Sequence, residues 1–405
     1  MTKLITRRSV VRGGLALTAL GTVASPAVVR SALGQSQIEI GNVLSISGPL
    51  ANVTKQINDG TQTGVEVFST GDIQFKNVVL DDQGDAGRAV RLVREAVESG
   101  RQKFFVNGTL SSTQIAIAKE LNGPKGVFCN TSGADETTGK SCNRASFRWN
   151  STTYAVTSLA VKTMVGLKPN AKRWYTVTAQ YVFGENMLAN VKRALAANGI
   201  EHVGNTFHSL TEREFSGYFP SILGAKPDVL FIANFGNQTT DFIRQAIRFG
   251  LKQRMTIVVG WGTGLDQFQA LGNDIIQDIY FVTPFWHVGD APVNQEFVSI
   301  WQKRTGSMPN YLEASGYFAV KVLADGIRKA NSTDITQVIQ ALEGMNFQGP
   351  SGDEPIRKED HQVIKDAYML LGKSREAMKD AFDFADVIGR GREYIPVAES
   401  GCKMS

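Results

Sequence analysis

Cysteine and histidine are scarce, three and four in 405 residues. His202, His208, His287 and His361 are scattered in no metal-ligand spacing, and no cysteine–histidine pattern for a nucleophile is present. The G-x-S-x-G elbow and the G-x-x-x-x-G-K phosphate loop are missing too, which removes two common hydrolase and nucleotide chemistries. Gly260-Trp261-Gly262-Thr263-Gly264 has the spacing G-x-G-x-G, one residue short of the dinucleotide fingerprint, and Trp261 would crowd a pyrophosphate. Asp81, Asp82 and Asp85 lack the distal glutamate of a calcium loop and read as solvated turn acids. Nothing points to catalysis, and neither a cofactor nor a metal is expected.

An excess of one charge is also absent from most of the chain. Of 43 Lys and Arg, five (Lys3, Arg7, Arg8, Arg12 and Arg30) fall in residues 1–34, which hold no acid. The remainder balances 38 basic against 38 acidic side chains, so no nucleic-acid or membrane footprint is left. No apolar run is long enough to span a bilayer. The mildly apolar Gly13 to Val23 is short, glycine-rich and preceded by Thr6-Arg7-Arg8-Ser9-Val10-Val11. That arrangement resembles a twin-arginine export signal, although Thr6 and Val10 depart from the usual serine and phenylalanine. Cleavage follows Ala27 or Gly34, and the sequence does not choose between them. The mature protein is expected to be soluble and exported.

Export bears on the cysteines. Cys129 sits in a predicted buried strand and reads as an inert core thiol. Cys142 and Cys402 lie in polar loops and are expected to pair in an oxidising compartment, tying down the tail; the alternative is two free thiols.

A chain of this length exceeds one core and is expected to form two domains. The most informative stretch is Phe104 to Gly133. Phe104-Phe105-Val106 reads as a strand of a parallel sheet. Gly108 to Gln114 then turns into a helix with Ile115, Ile117, Ala118 and Leu121 apolar. Gly126 to Cys129 is a second strand, ending in Asn130-Thr131-Ser132-Gly133. Ser111, Ser112 and Thr113 are more hydroxyls than one cap needs, so with the helix N–H groups they suggest a carboxylate cradle; ordinary capping is the alternative. Before it come strands at 38–44 and 75–80 and helices at 54–69 and 86–99, the second with Val90, Val93 and Val97 inward. After it a second β/α series has strands at 174–178, 228–233, 256–260 and 279–283 and helices at 184–198 and 239–249. Helices follow at 294–305, 312–330 and 335–342, then a Gly/Pro connection at 344–355 and a last strand at 366–371. The fold class is α/β, with parallel sheets in two similar lobes.

These segments resemble, in order, the periplasmic solute-binding proteins of the leucine/isoleucine/valine-binding family, which serve ATP-driven importers. The resemblance is carried by IEIGNVLSISGPLA (38–51), VVLDDQGDAGRAVRLVREAV (78–97), GTLSSTQIAIAKEL (108–121), TAQYVFGENMLANVKRALAANG (178–199), PDVLFIANFGNQTTDFIRQAIRFGL (227–251) and LEASGYFAVKVLADGIRKA (312–330). It implies a type I periplasmic binding fold, two Rossmann-like lobes joined by three hinge crossings. Lobe one would hold 37–155 and 285–345, lobe two 156–284 and 346–395, with 396–405 as a tail. The cysteines of TTGKSCN (137–143) and ESGCKMS also resemble a subgroup of the family, which favours the Cys142–Cys402 pair. By resemblance, Ser111, Ser112 and Thr113 with Thr131, Ser132 and Gly133 bind the ligand carboxylate, Phe183, Phe235 and Trp261 face it from lobe two, and Leu50 and Tyr154 complete the wall.

One departure bears on the ligand. Amino-acid binders of the family place an acid in the loop where this chain has Trp261-Gly262-Thr263, and the next acid is Asp266. An unpaired ammonium in a closed cleft costs several kcal/mol, so the expected ligand is a carboxylate with an apolar, aromatic or branched aliphatic, body; the alternative is that Asp266 takes the missing role. The resemblance implies a monomer whose partners are this ligand, the transmembrane subunits of an ABC permease and the twin-arginine export machinery. A sensor for a membrane receptor and an exported enzyme on the same fold are the competing classes.

Overall fold

Runs such as Phe104–Asn107 and Val127–Asn130 bury every side chain, as strands covered on both faces must. In the computed structural model, which describes residues 37–404 except 48, 49, 72 and 124, they lie at the centre of the first lobe. The expected export signal lies outside the described residues. The first sheet is parallel and contains β1 (Gln37–Leu44), β2 (Gln74–Asp81), β3 (Phe104–Asn107), β4 (Val127–Asn130) and β5 (Ser146–Arg148), in the order β2-β1-β3-β4-β5. Its crossover helices are α1 (Ala51–Phe68), α2 (Ala86–Glu98) and α3 (Ser111–Leu121). Asp85 caps α2 by accepting from the Arg88 N–H. The buried stripe of α2 is Ala89, Val93 and Ala96, so Val90 and Val97 flank the stripe that was expected to contain them. The small alanines let the helix lie close to the sheet.

The second lobe repeats this order. It contains α4 (Thr153–Leu167), β6 (Arg173–Ala179), α5 (Val182–Ala197), β7 (Glu201–His208), α6 (Phe219–Ala225), β8 (Val229–Ala233), α7 (Asn237–Arg248), β9 (Thr256–Val259), α8 (Leu265–Leu271), α9 (Asn273–Ile276) and β10 (Tyr280–Thr283). The chain then returns to lobe one with α10 (Pro292–Thr305), α11 (Tyr311–Ala330) and α12 (Ile335–Leu342). A hairpin of β11 (Asn346–Gly349) and β12 (Gly352–Pro355) follows, then β13 (Ala367–Gly372) and β14 (Ala385–Gly391). The second sheet has the order β14-β13-β10-β9-β8-β6-β7, with β13 antiparallel to both of its neighbours, β10 and β14.

α11 is buried along most of its length and crosses α1 at a glycine seam. A Cβ at Gly60 would sit 2.0 Å from the Glu313 carbonyl oxygen, and one at Gly316 would sit 2.1 Å from that of Ile57. Larger residues there would force the helices apart.

Three differences from the sequence reading have physical reasons. β14 lies beyond the strand expected to be last; it is a half-exposed edge containing two glycines and carries little apolar signal. The stretch expected as a plain connection forms the β11–β12 hairpin, which packs on α10 and α11 of lobe one. Residues 361–363 also bond to β5, through Arg148 N–H to His361 O and Val363 N–H to Arg148 O. Residues 346–363, expected in lobe two, thus touch both sides: they pack on α10, α11 and β5, while Ser351 Oγ accepts from Asp366 N–H at 3.1 Å and Asp353 O accepts from Arg392 Nη1 at 3.0 Å. Cys142 and Cys402 form a disulfide, as expected, which brings the tail back to lobe one; Cys129 is a buried free thiol whose pKa burial pushes up.

Candidate ligand-binding site

The parallel strands of both sheets carry the site turns at their carboxyl ends, the usual ligand position in doubly wound folds. On the lobe-one side, α3 is capped by no side chain. Leu110 enters in extended conformation as the N-cap, and the Thr113 hydroxyl donates back to its carbonyl at 2.8 Å. The reading of these hydroxyls as caps is therefore corrected: the first N–H groups of α3 are left without a side-chain acceptor, where an anion is favoured. Ser111 and Thr131 are 4% and 6% exposed, and their hydroxyls bond to no described residue. Ser112 points to the exposed surface.

The turn after β4 is held from behind. Thr131 N–H donates to Gln114 Oε1 at 2.9 Å and Ser132 N–H to Asn130 Oδ1 at 3.2 Å. The Ser132 hydroxyl already accepts from Thr137 Oγ1 at 2.8 Å and from Ala134 N–H at 3.2 Å, so it is spent on the turn itself. Buried Arg148 donates to the carbonyls of Ser132 and Ala134, to Thr138 Oγ1 and, at 2.6 Å, to Gln362 Oε1. Burial pulls its pKa down to about 10, with the charge of Asp135 opposing, so the guanidinium stays charged near neutrality.

Lobe two supplies an aromatic wall. Phe183, at the start of α5, meets Trp261 edge-on at 5.0 Å between centroids and Phe235 at 6.2 Å. Tyr181 lies 5.7 Å from Phe183. These rings reach lobe one at Gly133, where a Cβ would stand 2.6 Å from Phe183 Cε2 and 3.0 Å from Trp261 Cη2. Leu50 sits across the cleft from Gly236, within 3.9 Å of where a Cβ would project. Tyr154 stands apart: its ring lies 4.4 Å beneath the Arg193 guanidinium, and its N–H donates to Asp135 at 3.0 Å.

Two further residues join the site: Tyr311, which the sequence did not suggest, and Asp266, which it offered only as the alternative ammonium partner. Tyr311 opens α11 and stacks edge-on against Trp261 at 5.8 Å. Its hydroxyl accepts from Asn150 Nδ2 at 3.0 Å, and the same amide donates to Thr131 O at 2.8 Å. The available signal was Asn310 with Glu313 three residues on, a capping box that puts Tyr311 in the first turn. Asp266 lies at the lobe interface, accepting from Thr263 Oγ1 at 3.2 Å and from Gln56 Nε2 at 3.2 Å, and burial raises its pKa. A cavity of about 220 Å³ beside it is lined by Val53, Gln56, Gly236, Asp266 and Leu312 among others. No metal-holding cluster of His, Cys, Asp or Glu occurs among the described residues.

The family model for periplasmic binding proteins matches residues 37–376. The chain belongs to that family. An amino acid ABC transporter substrate-binding protein of known structure from Pseudomonas fluorescens Pf-5 is 42% identical over 91% of this chain and 100% of its own, and superposes with a TM-score of 0.87. The Leu/Ile/Val-binding protein homolog 4 of Brucella abortus is 26% identical over 356 residues, 80% of this chain and 82% of its own. A solute binding protein from R. palustris in complex with benzoate shares the fold at 20% identity and a TM-score of 0.78, covering 91% of this chain and 100% of its own. This periplasmic binding protein is thus a substrate-binding component of the branched-chain amino acid type of ABC transporter, and not an enzyme. Family membership implies export, and no described helix is long and apolar enough to cross a membrane.

Proposed function

We propose that the protein captures a small carboxylate with an aromatic or branched apolar body between its lobes and delivers it to the transmembrane subunits of an ABC permease. The uncapped start of α3 carries this reading, together with the unengaged hydroxyls of Ser111 and Thr131 and the rings of Phe183 and Trp261 that reach lobe one at Gly133, two residues after Thr131. The helix N–H groups and hydroxyls receive the carboxylate, and the rings receive the body. Gly133 lets the two surfaces meet. Ligand contacts in both lobes favour the closed state, which is the form presented to the permease. Export by the twin-arginine route and action as a monomer complete the proposal.

No acid follows β9 closely enough to replace the missing ammonium partner except Asp266, and both of its oxygens already accept protein hydrogen bonds. This favours a ligand without an ammonium. The fold itself accepts such a molecule, as the benzoate complex of the R. palustris protein illustrates. A second reading, an α-amino acid whose ammonium displaces Gln56 from Asp266, draws support from the burial of that acid and from the amino acid relatives.

Thermal unfolding of the ligand-stripped mature protein against aromatic carboxylates and aliphatic amino acids separates the two. A ligand at 100 times its dissociation constant adds ~2.7 kcal/mol, a readily seen rise in midpoint. Benzoate-type acids alone are expected to stabilise. Stabilisation by leucine or valine that Asp266→Asn abolishes would establish the amino acid reading instead.

A further inference from the structure

A line of hydrogen bonds joins the lobes outside the cradle. Asp266 on α8 of lobe two accepts from Gln56 Nε2 on α1 of lobe one at 3.2 Å. Gln56 Oε1 accepts from Asn310 Nδ2 at 2.9 Å, and the Asn310 N–H donates to Glu313 Oε2 at 3.0 Å. Beside this line Tyr311 N–H donates to Thr263 O at 3.3 Å, again across the lobes. Each end is therefore a carboxyl group, one per lobe, and no cation bonds either among the described residues.

The neighbouring charges do not neutralise the pair. On α1, Lys55 is taken by Asp59 at 2.6 Å, and the charge of Asp59 itself opposes ionisation of Glu313. On α7 and the loop before α6, Asp241 holds Arg213 at 3.3 Å and Arg244 at 3.8 Å. Two carboxyl groups sharing a desolvated interface cannot both ionise cheaply.

We propose that Asp266, Gln56 and Glu313 form a proton-linked latch: closing the lobes takes up a proton on the acid pair, so the closed state weakens as pH rises. Burial pushes Glu313 up to about 8, with the charge of Asp266 adding to the effect, and burial raises Asp266 as well. Opening gives Asp266 back to water and removes its charge from beside Glu313, which lowers the pKa of both toward the ordinary range. Between that range and about pH 8 the closed state holds one more proton than the open state, so its closing constant falls about tenfold per pH unit. Above that window the dependence flattens. The latch rests on lobe closure and not on which carboxylate the cleft accepts.

Small-angle scattering of the ligand-free protein at about pH 5.5 and about pH 8.5 reads the lobe separation without any ligand. The wild type is expected to expand at the higher pH. Glu313→Gln, which keeps the capping box, should remain compact at both, and Gln56→Met should be expanded at both. Circular dichroism checks that each variant is folded, and Asp266→Asn reads the same question should Glu313→Gln fail to fold. A pH-independent wild-type radius, or a full pH response retained in the acid-to-amide variants, would overturn the latch.

Discussion

Replacing Gly133 by alanine tests the meeting of the lobes most directly. A Cβ there would lie 2.6 and 2.9 Å from Phe183 Cε2 and Cδ2 and 3.0 Å from Trp261 Cη2. Carbon atoms pack at about 3.5–4.0 Å, so the rings must retreat by about 1 Å. Both rings belong to lobe two and are almost wholly buried, which leaves them little room to turn. Gly133 does not have positive φ, so alanine strains no backbone, and the added methyl acts as a wedge between lobes. Overpacking of this size costs about 1–3 kcal/mol. Charged to the closed state alone, that weakens ligand binding about 5–150-fold. Calorimetric titration with the ligand found by thermal unfolding, together with scattering from the ligand-free variant, measures both consequences. The melting midpoint should change little, because neither lobe is disturbed internally. Gly108→Ala is the control. Its Cβ would fall 2.1 Å from Gln114 Cγ at a φ of +107°, wholly inside lobe one, so it should lower the midpoint. Wild-type affinity and radius in Gly133→Ala, or a loss of stability matching the control, would refute the wedge.

The disulfide and one buried histidine allow two further tests. Cys142 and Cys402 are 260 residues apart, and closing so long a loop contributes at most about 5 kcal/mol, so Cys402→Ser or reductant should lower the melting midpoint of the mature protein. An unchanged midpoint would show that the tail is held by its other contacts. Burial holds His287 down at about 4 in the folded protein, whereas the unfolded chain protonates it near pH ~6.5. Unfolded molecules then bind more protons than folded ones between those values. The contribution of His287 is complete above the upper value and declines as pH falls toward the lower. His287→Gln should flatten the melting curve over that window, and identical curves for both proteins would remove His287 as the cause.

Much of the fold was legible because its physical demands are local. Central strands covered on both faces need continuous apolar runs, and Phe104–Val106, Val229–Ala233 and Thr256–Val259 stand out for that reason. α5 buries Met187, Val191 and Leu195 at helical spacing, as expected. Elements with mixed burial leave no such mark in the sequence. β7 is a half-exposed edge, β5 has three residues, and α4 buries so much of its circumference that no single stripe marks it. The polar turns after β3 and β4, by contrast, are legible as donor-rich sites in the sequence itself.

What the sequence determined by itself was the β/α order, the lack of catalytic or metal-binding patterns, and which turns carry hydroxyls. Tertiary structure decided how those hydroxyls are used. Ser132 is consumed by Thr137 and Ala134, whereas Ser111 and Thr131 remain unengaged by described residues. It also decided that Tyr154 pairs with Arg193, that Tyr311 joins Trp261, and that Asp266 finds Gln56 from the other lobe. Helix and strand patterns follow from neighbours a few residues apart, which the sequence displays. A cleft brings together groups separated by more than a hundred residues, and only the packing of two lobes specifies which of them touch.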